Sequence, residues 1–171
     1  MNVEDFGAVA LLEYEGTIFT VPDLILENTT KKDGSSPGWY PEREMVGVGG
    51  KRQFPGGVRD ETDPLSAICR EIKEETRCEP KESSVEPLNV STVIFHERDG
   101  DGGKYYGVDL FLWHLDQATM LALSLKGAVP VEWTFDNLRE RDKIVYGLYK
   151  EVVSLPLSIS SVLSQLRDVS I

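Results

Sequence analysis

Gly56-Gly57-Val58-Arg59-Asp60-Glu61-Thr62-Asp63-Pro64-Leu65-Ser66-Ala67-Ile68-Cys69-Arg70-Glu71-Ile72-Lys73-Glu74-Glu75-Thr76 decides the reading of this chain. Two glycines that allow close backbone approach lead into Asp63-Pro64, an N-cap residue followed by proline at the first helical position. The helix is expected to run to about Arg77, because Pro80 disfavours helical geometry at Glu79. At about 100° per residue, Glu71, Glu74 and Glu75 fall within one arc of about 100°. Leu65, Ile68, Cys69 and Ile72 occupy the neighbouring arc and face a core, with Arg70, Lys73 and Arg77 on the remaining side. Three carboxylates on one turn repel one another. A hard divalent cation bound through oxygens offsets that repulsion, and magnesium in particular prefers a few carboxylates plus phosphate oxygens. Ala67, one turn before Glu71, leaves room for the Gly56-Gly57 backbone to approach such an ion. An Arg-Glu-x-x-Glu-Glu cluster taken alone is also a common solvated helix face.

Outward from this segment, the pattern is that of strands around helices. Ala8-Val9-Ala10-Leu11-Leu12 and Thr17-Ile18-Phe19-Thr20-Val21 flank Glu15-Gly16 and read as a β-hairpin. Residues 22–52 dissolve into Gly, Ser, Pro and charge, and a loop that long inside a compact domain is functional or disordered. Downstream, Val90 to His96 and Tyr105 to Leu115 read as strands around the Gly-rich tip Asp99-Gly100-Asp101-Gly102-Gly103. Val129 to Thr134 reads as a short strand, Asn137 to Val153 as a helix and Ile159 to Val169 as a closing helix. The expected architecture is one α/β domain over residues 1–171, a sandwich with a mixed sheet.

The 171 residues fit a single domain. Their net charge of −11 argues against bulk binding of DNA or RNA backbones, which relies on clustered Lys and Arg. It does not exclude small phosphorylated ligands, because bound cations neutralise carboxylates and phosphates together. One stretch departs from the acidic average. Between Asn28 and Pro55, Lys31, Lys32, Arg43, Lys51 and Arg52 outnumber Asp33, Glu42 and Glu44. Lys51 and Arg52, beside the glycine pair, are candidates for substrate phosphate; the alternative is a solvated loop. Trp39 and Tyr40 either stack on a base or anchor the loop to the core. Two cysteines make no disulfide framework, no basic leader is legible between Met1 and Phe6, and no apolar run approaches a membrane span. The chain therefore reads as cytoplasmic, with no membrane partner, and a homodimer stays open.

The Gly56–Thr76 segment resembles the Nudix hydrolase signature: Gly, five residues, Glu, seven residues, Arg-Glu, an aliphatic residue, any, Glu-Glu, any, Gly, an aliphatic residue. Arg70-Glu71-Ile72-Lys73-Glu74-Glu75 supplies the Arg-Glu-aliphatic-x-Glu-Glu core unchanged. Gly56 takes the first glycine if no gap is opened; a loop one residue shorter would use Gly57. The resemblance covers about 25 residues (56–78 in the main), with a Glu132-Trp133 pair where relatives often have one. It implies a Nudix-type α/β/α sandwich and hydrolysis of a nucleoside diphosphate linked to another moiety. Glu74 and Glu75 would be the main ligands of Mg2+, or of Mn2+. Glu71 would be a ligand or orient water, the Gly56 carbonyl would complete the shell, and Arg70 would hold a glutamate in place.

Three positions depart from the signature. Thr62 stands for its first glutamate, and Arg77 stands for the glycine that ends the helix. Arg in left-handed geometry is strained, so the helix is expected to end differently. The loop Leu125-Lys126-Gly127-Ala128 lacks a carboxylate that some relatives carry, so a base outside the helix is not assigned by the motif; Glu97, Asp109 and Glu132 are candidates, each with a structural reading beside it. His96 and His114 read as structural. Thr62 and Arg77 favour the rival reading, a nucleotide-binding or regulatory module without turnover; the intact Glu71, Glu74 and Glu75 oppose it.

Overall fold

Ala8-Val9-Ala10-Leu11-Leu12 is at most 1% exposed at every position, and a strand buried on both faces belongs at the centre of a sheet. The structure is a computed structural model that describes residues 3–22, 51–58, 63–96 and 102–154. That run lies in β1, Val3–Tyr14. β1 pairs antiparallel with β2, Thr17–Pro22, across the turn at Glu15 and Gly16, both of which take positive φ. Along the other end of β1 runs β4, Gly56–Val58, with Gly7 opposite Val58 and Val9 opposite Gly56. On the far side β1 pairs in parallel with β6, Lys104–His114, which pairs antiparallel with β5, Val85–His96. Two short strands, β3 at Arg52–Gln53 and β7 at Val129–Pro130, pair with β2. Among the described residues the result is a mixed sheet of seven strands in the order β3-β2-β1-β6-β5, with β4 and β7 off that path.

Helices cover both faces. α1, Pro64–Thr76, and α2, Gln117–Leu125, press Ile68, Ile72, Met120 and Leu123 onto Ala8, Ala10, Leu12, Phe111 and Trp113. α3, Val131–Thr134, and α4, Glu140–Val153, bring Val131 and Val145 to the opposite face, against Val9, Leu11, Val108 and Leu110. This is the expected α/β/α layering. Among the described residues no helix is long and apolar enough to cross a membrane.

Several expectations are corrected. Pro22 and Arg52, the ends of the expected loop, are themselves paired in strands; residues 23–50 lie outside the described residues. Val129 to Thr134 is a strand only at its first two residues; beyond Pro130 the chain turns into α3. α4 starts at Glu140 rather than Asn137, after a 3-10 turn at Phe135–Asn137. α2 had no counterpart in the sequence reading, although Asp116 caps it by accepting the Thr119 N–H at 2.7 Å. Arg77 does adopt the left-handed conformation, at φ 60°, and its N–H donates to the Lys73 carbonyl at 2.9 Å. The residue strained at this C-cap is therefore the arginine itself. The closing helix expected at 159–169 lies outside the described residues.

Three strands are tied together at one end by His114. Its Nδ1 lies 2.8 Å from Glu13 Oε2 on β1, and its Nε2 lies 2.7 Å from Glu86 Oε2 on β5. Hydrogen bonds to the two glutamates hold its pKa above the ordinary 6.5. A raised folded pKa means that the stabilisation is full below the unfolded value and is lost as pH rises through the folded one. His114 and Glu86 are exposed and Glu13 is only partly covered, so the expected contribution is below about 1 kcal/mol. The melting temperature of wild type minus that of His114→Gln should thus shrink from pH 6 to pH 9, by no more than about 2–4 °C. A difference independent of pH would remove the imidazolium from this role.

Candidate metal-dependent active site

Asp63 starts α1 by accepting the N–H groups of Leu65 at 3.2 Å and Ser66 at 3.4 Å. From there the helix turns Ile68 and Ile72 into the core, and that anchoring sets the direction of the glutamates. Glu71 and Glu75, one turn apart, look toward the Gly56-Gly57 backbone of β4. The Gly56 N–H donates to Glu75 Oε2 at 3.2 Å. A Cβ on Gly57 would lie 2.6 Å from Glu71 Oε1 and 2.9 Å from its Oε2, so this glycine makes the space for that carboxylate.

Glu74 behaves differently. Its side chain is 57% exposed, and Arg70 Nη1 donates to both its oxygens, at 3.2 and 3.3 Å. The same Nη1 lies 3.1 Å from Glu71 Oε1. Arg70 therefore holds two of the three glutamates, one inside the site and one at its rim. Among the described residues no group of three or more His, Cys, Asp and Glu side chains is gathered for a metal ion. For Glu74 to join the inner pair as a ligand it would have to leave Arg70.

Burial dominates the electrostatics of the inner pair. It pushes the Glu75 carboxyl up to about 8, against the charge of Arg141, and the neighbouring Glu71 charge adds to the rise. Burial also raises Glu71, partly opposed by Arg70. Two carboxylates in this condition favour either a proton or a cation. Their oxygens are hard donors of the kind that magnesium and manganese accept.

The other expected residues have diverse positions. Lys51 is exposed and lines a cleft of about 510 Å³ together with Phe95, Tyr106, Arg139, Arg141 and Lys143. Arg52 faces the other way and is 2% exposed. Its Nε donates to Thr20 Oγ1 at 3.0 Å, and its Nη2 donates to the Thr20 carbonyl at 2.9 Å and to the Gly127 carbonyl. That corrects the expectation of a phosphate contact: the guanidinium fastens β3 to β2 and to the loop after α2. Trp39, Tyr40, Thr62 and Glu97 lie outside the described residues. Glu132 and Trp133 are exposed on α3. Asp109 is half-buried in β6, opposite Ser91.

Sequence reasoning missed Arg141 and Asp142. Their run, Arg139-Glu140-Arg141-Asp142-Lys143, looks like an ordinary charged helix face, and nothing local shows that Asp142 is fully buried. None of the family models matches this chain, and no curated protein does. Among solved structures it is similar to a Nudix hydrolase from M. Smegmatis, RenU, at 15% identity and a TM-score of 0.49, over 90% of this chain and 89% of that one. It is also similar to a MutT/nudix family protein from Enterococcus faecalis, at 14% identity and a TM-score of 0.41, over 68% of this chain. It spans 39% of that protein's length. A third likeness is to the E. coli dihydroneopterin triphosphate pyrophosphohydrolase, at 11% identity and a TM-score of 0.42, over 67% of this chain and 71% of that one. The chain resembles Nudix proteins.

The two glycines of this loop make separable predictions. Gly57→Ala should displace the Glu71 carboxylate, the mobile end of a long side chain, with little effect on melting. Any turnover should fall on the order of 10²-fold, the usual result of misplacing a reacting group by about 1 Å. Gly56→Ala instead puts a Cβ 2.5 Å from the Ala8 carbonyl oxygen and 3.0 Å from Val9 Cα. Backbone cannot yield so easily, and a loss of about 1–3 kcal/mol is expected. Wild-type kinetics in Gly57→Ala would take Glu71 out of the reaction.

Proposed function

We propose that this chain is a metal-dependent hydrolase that cuts a diphosphate linkage in a nucleoside diphosphate joined to another moiety. The observation that carries the reading is the pair Glu71 and Glu75, half-buried side by side against a glycine-made backbone surface, with Glu75 pushed up to about 8. Mg2+, or Mn2+, held there would polarise the phosphoryl oxygens and lower the pKa of water. Glu75 and Glu71 would be its inner carboxylate ligands, with Glu74 released from Arg70 and the Gly56 carbonyl as further donors. Glu71 would also orient the attacking water. The water oxygen bonds to phosphorus, the bridging P–O bond breaks, and the water proton passes to a carboxylate.

Substrate recognition would use the cleft beside α4. Lys51, Arg139 and Lys143 are suited to phosphate, and Phe95 and Tyr106 offer an apolar wall for a base. The free cysteines, Cys69 and Cys78, fit a cytoplasmic setting. A second reading, a nucleotide-binding module without turnover, draws support from Glu74 lying on Arg70 rather than with the inner pair. Hydrolysis assays over nucleoside triphosphates, nucleotide sugars, ADP-ribose, dinucleoside polyphosphates and capped RNA, with magnesium and with manganese, separate the two. Turnover of one of these with either ion supports the hydrolase. Saturable nucleotide binding with no turnover supports the module.

A further inference from the structure

Phe54 is fully buried, and α4 grips its peptide groups from two sides. The Phe54 N–H donates to Asp142 Oδ2 at 3.1 Å. The Phe54 carbonyl accepts from Arg141 Nη2 at 2.8 Å. Arg141 and Asp142 are locked to each other, Nε to Oδ1 at 2.9 Å and Nη2 to Oδ2 at 3.3 Å. Two residues further on, the Gly56 N–H is the donor that meets Glu75. Between them, the Pro55 carbonyl accepts the Ala10 N–H at 2.9 Å. The short segment that presents a donor to Glu75 is thus fixed to β1 on one side and to α4 on the other.

A buried ion pair is weak evidence for stability, since hydrophobic residues of similar volume often serve a fold as well or better. Here the pair does something that apolar residues cannot: it satisfies both backbone polar groups of one buried residue, the N–H and the carbonyl of Phe54. The planar fork of arginine matters, because one edge addresses Asp142 and the Phe54 carbonyl together, which an ammonium point charge cannot reproduce. The Arg141 charge also acts on both Glu71 and Glu75.

We propose that Arg141 is a positioning residue for the glutamate site: with Asp142 it clamps Phe54, and so aims the Gly56 N–H that holds the Glu75 carboxylate. It acts through the backbone, and this inference rests on the hydrolase reading only for its kinetic consequence.

Two variants test it, Arg141→Lys, which keeps the charge without the fork, and Asp142→Asn, which keeps an acceptor for Phe54 without the ion pair. The first readout needs no turnover. In the metal-free protein the Gly56 amide resonance should move in both variants, in the direction that Glu75→Gln moves it. A Gly56 resonance at its wild-type position in folded variants overturns the proposal, whether or not the chain hydrolyses anything. The second readout is kinetic, with a substrate found in the assays above. kcat should fall on the order of 10²-fold while KM stays within about threefold, because the reacting groups shift and substrate contacts do not. A raised KM with unchanged kcat would instead make Arg141 a substrate contact. Loss of the folded spectrum in both variants would assign the pair to the fold alone. Either result overturns the positioning role.

Discussion

Glu75→Gln should reduce turnover by 10²-fold or more and at the same time abolish most of the pH dependence of the metal-free fold. The first effect follows from the loss of a charged ligand at the point where transition-state charge is balanced. The second follows from linkage. Glu75 rises from 4.5 to about 8 in the folded protein, so the native state holds a proton that the unfolded chain releases. For an acid shifted upward, stability is greatest below the unfolded pKa and declines as pH rises toward the folded one, here from about 4.5 to 8. At about 1.4 kcal/mol per unit this sets an upper bound of a few kcal/mol. Magnesium at pH 8 should restore the wild type, since an ion that binds only the folded form stabilises it by mass action. The glutamine variant should neither lose that stability nor regain it with the ion. Glu71 and Asp142 shift in the same direction and leave a residual slope of their own. His114 contributes a slope of its own above pH 6.5, and the His114→Gln background separates the two. A Glu75→Gln protein with wild-type activity and a wild-type pH profile would place the metal elsewhere.

Arg52→Met should be the most destabilising of the single substitutions considered, by roughly 3 kcal/mol, or about 10 °C in melting temperature. Its guanidinium is buried, and its pKa is lowered to about 10 by desolvation, so it remains charged at neutral pH. Among the described residues its partners are neutral oxygens: Thr20 Oγ1 and the carbonyls of Thr20 and Gly127. Methionine keeps much of the volume and leaves the buried Thr20 carbonyl and the part-buried Gly127 carbonyl without this donor. Lys51→Ala, next to it but facing the cleft, should melt like the wild type and raise KM. Thermal melts paired with steady-state kinetics distinguish these outcomes. A stable Arg52→Met protein with raised KM would return Arg52 to the phosphate-binding role.

The contrast between these neighbours shows where the sequence was informative. Local signals were reliable. Asp63-Pro64 started α1 as a cap and a proline should, and Glu15-Gly16 turned the first hairpin. Angular spacing put Glu71, Glu74 and Glu75 on one arc, but it could not say which of them face inward. That depends on the seat of α1 against β1 and β4, a tertiary fact. Lys51 and Arg52 looked alike as two adjacent cations; that Arg52 is paired in β3 and turned into the interior while Lys51 precedes the strand is a tertiary fact. Arg77 broke a conformational preference that tertiary contacts overrode: the Lys126 ammonium caps the Thr76 carbonyl beside it at 3.1 Å. Arg141 and Asp142 stayed hidden because Phe54, the residue they serve, lies far from them in sequence.

β1 runs parallel to β6, Ala8 beside Asp109 and Leu12 beside Trp113, and this feature has a consequence for biogenesis. Synthesis from the N-terminal end completes β1, the most apolar strand, well before its parallel partner β6. β2 and β4 can cover one edge of it soon afterwards, but the strand for the other edge emerges only about a hundred residues later. Until then the growing polypeptide carries an open, hydrogen-bonding edge on its most hydrophobic segment, the condition under which nascent chains aggregate or recruit chaperones. The rate of refolding in vitro should likewise be governed by closure of that long loop rather than by α1, whose caps and periodicity let it form locally.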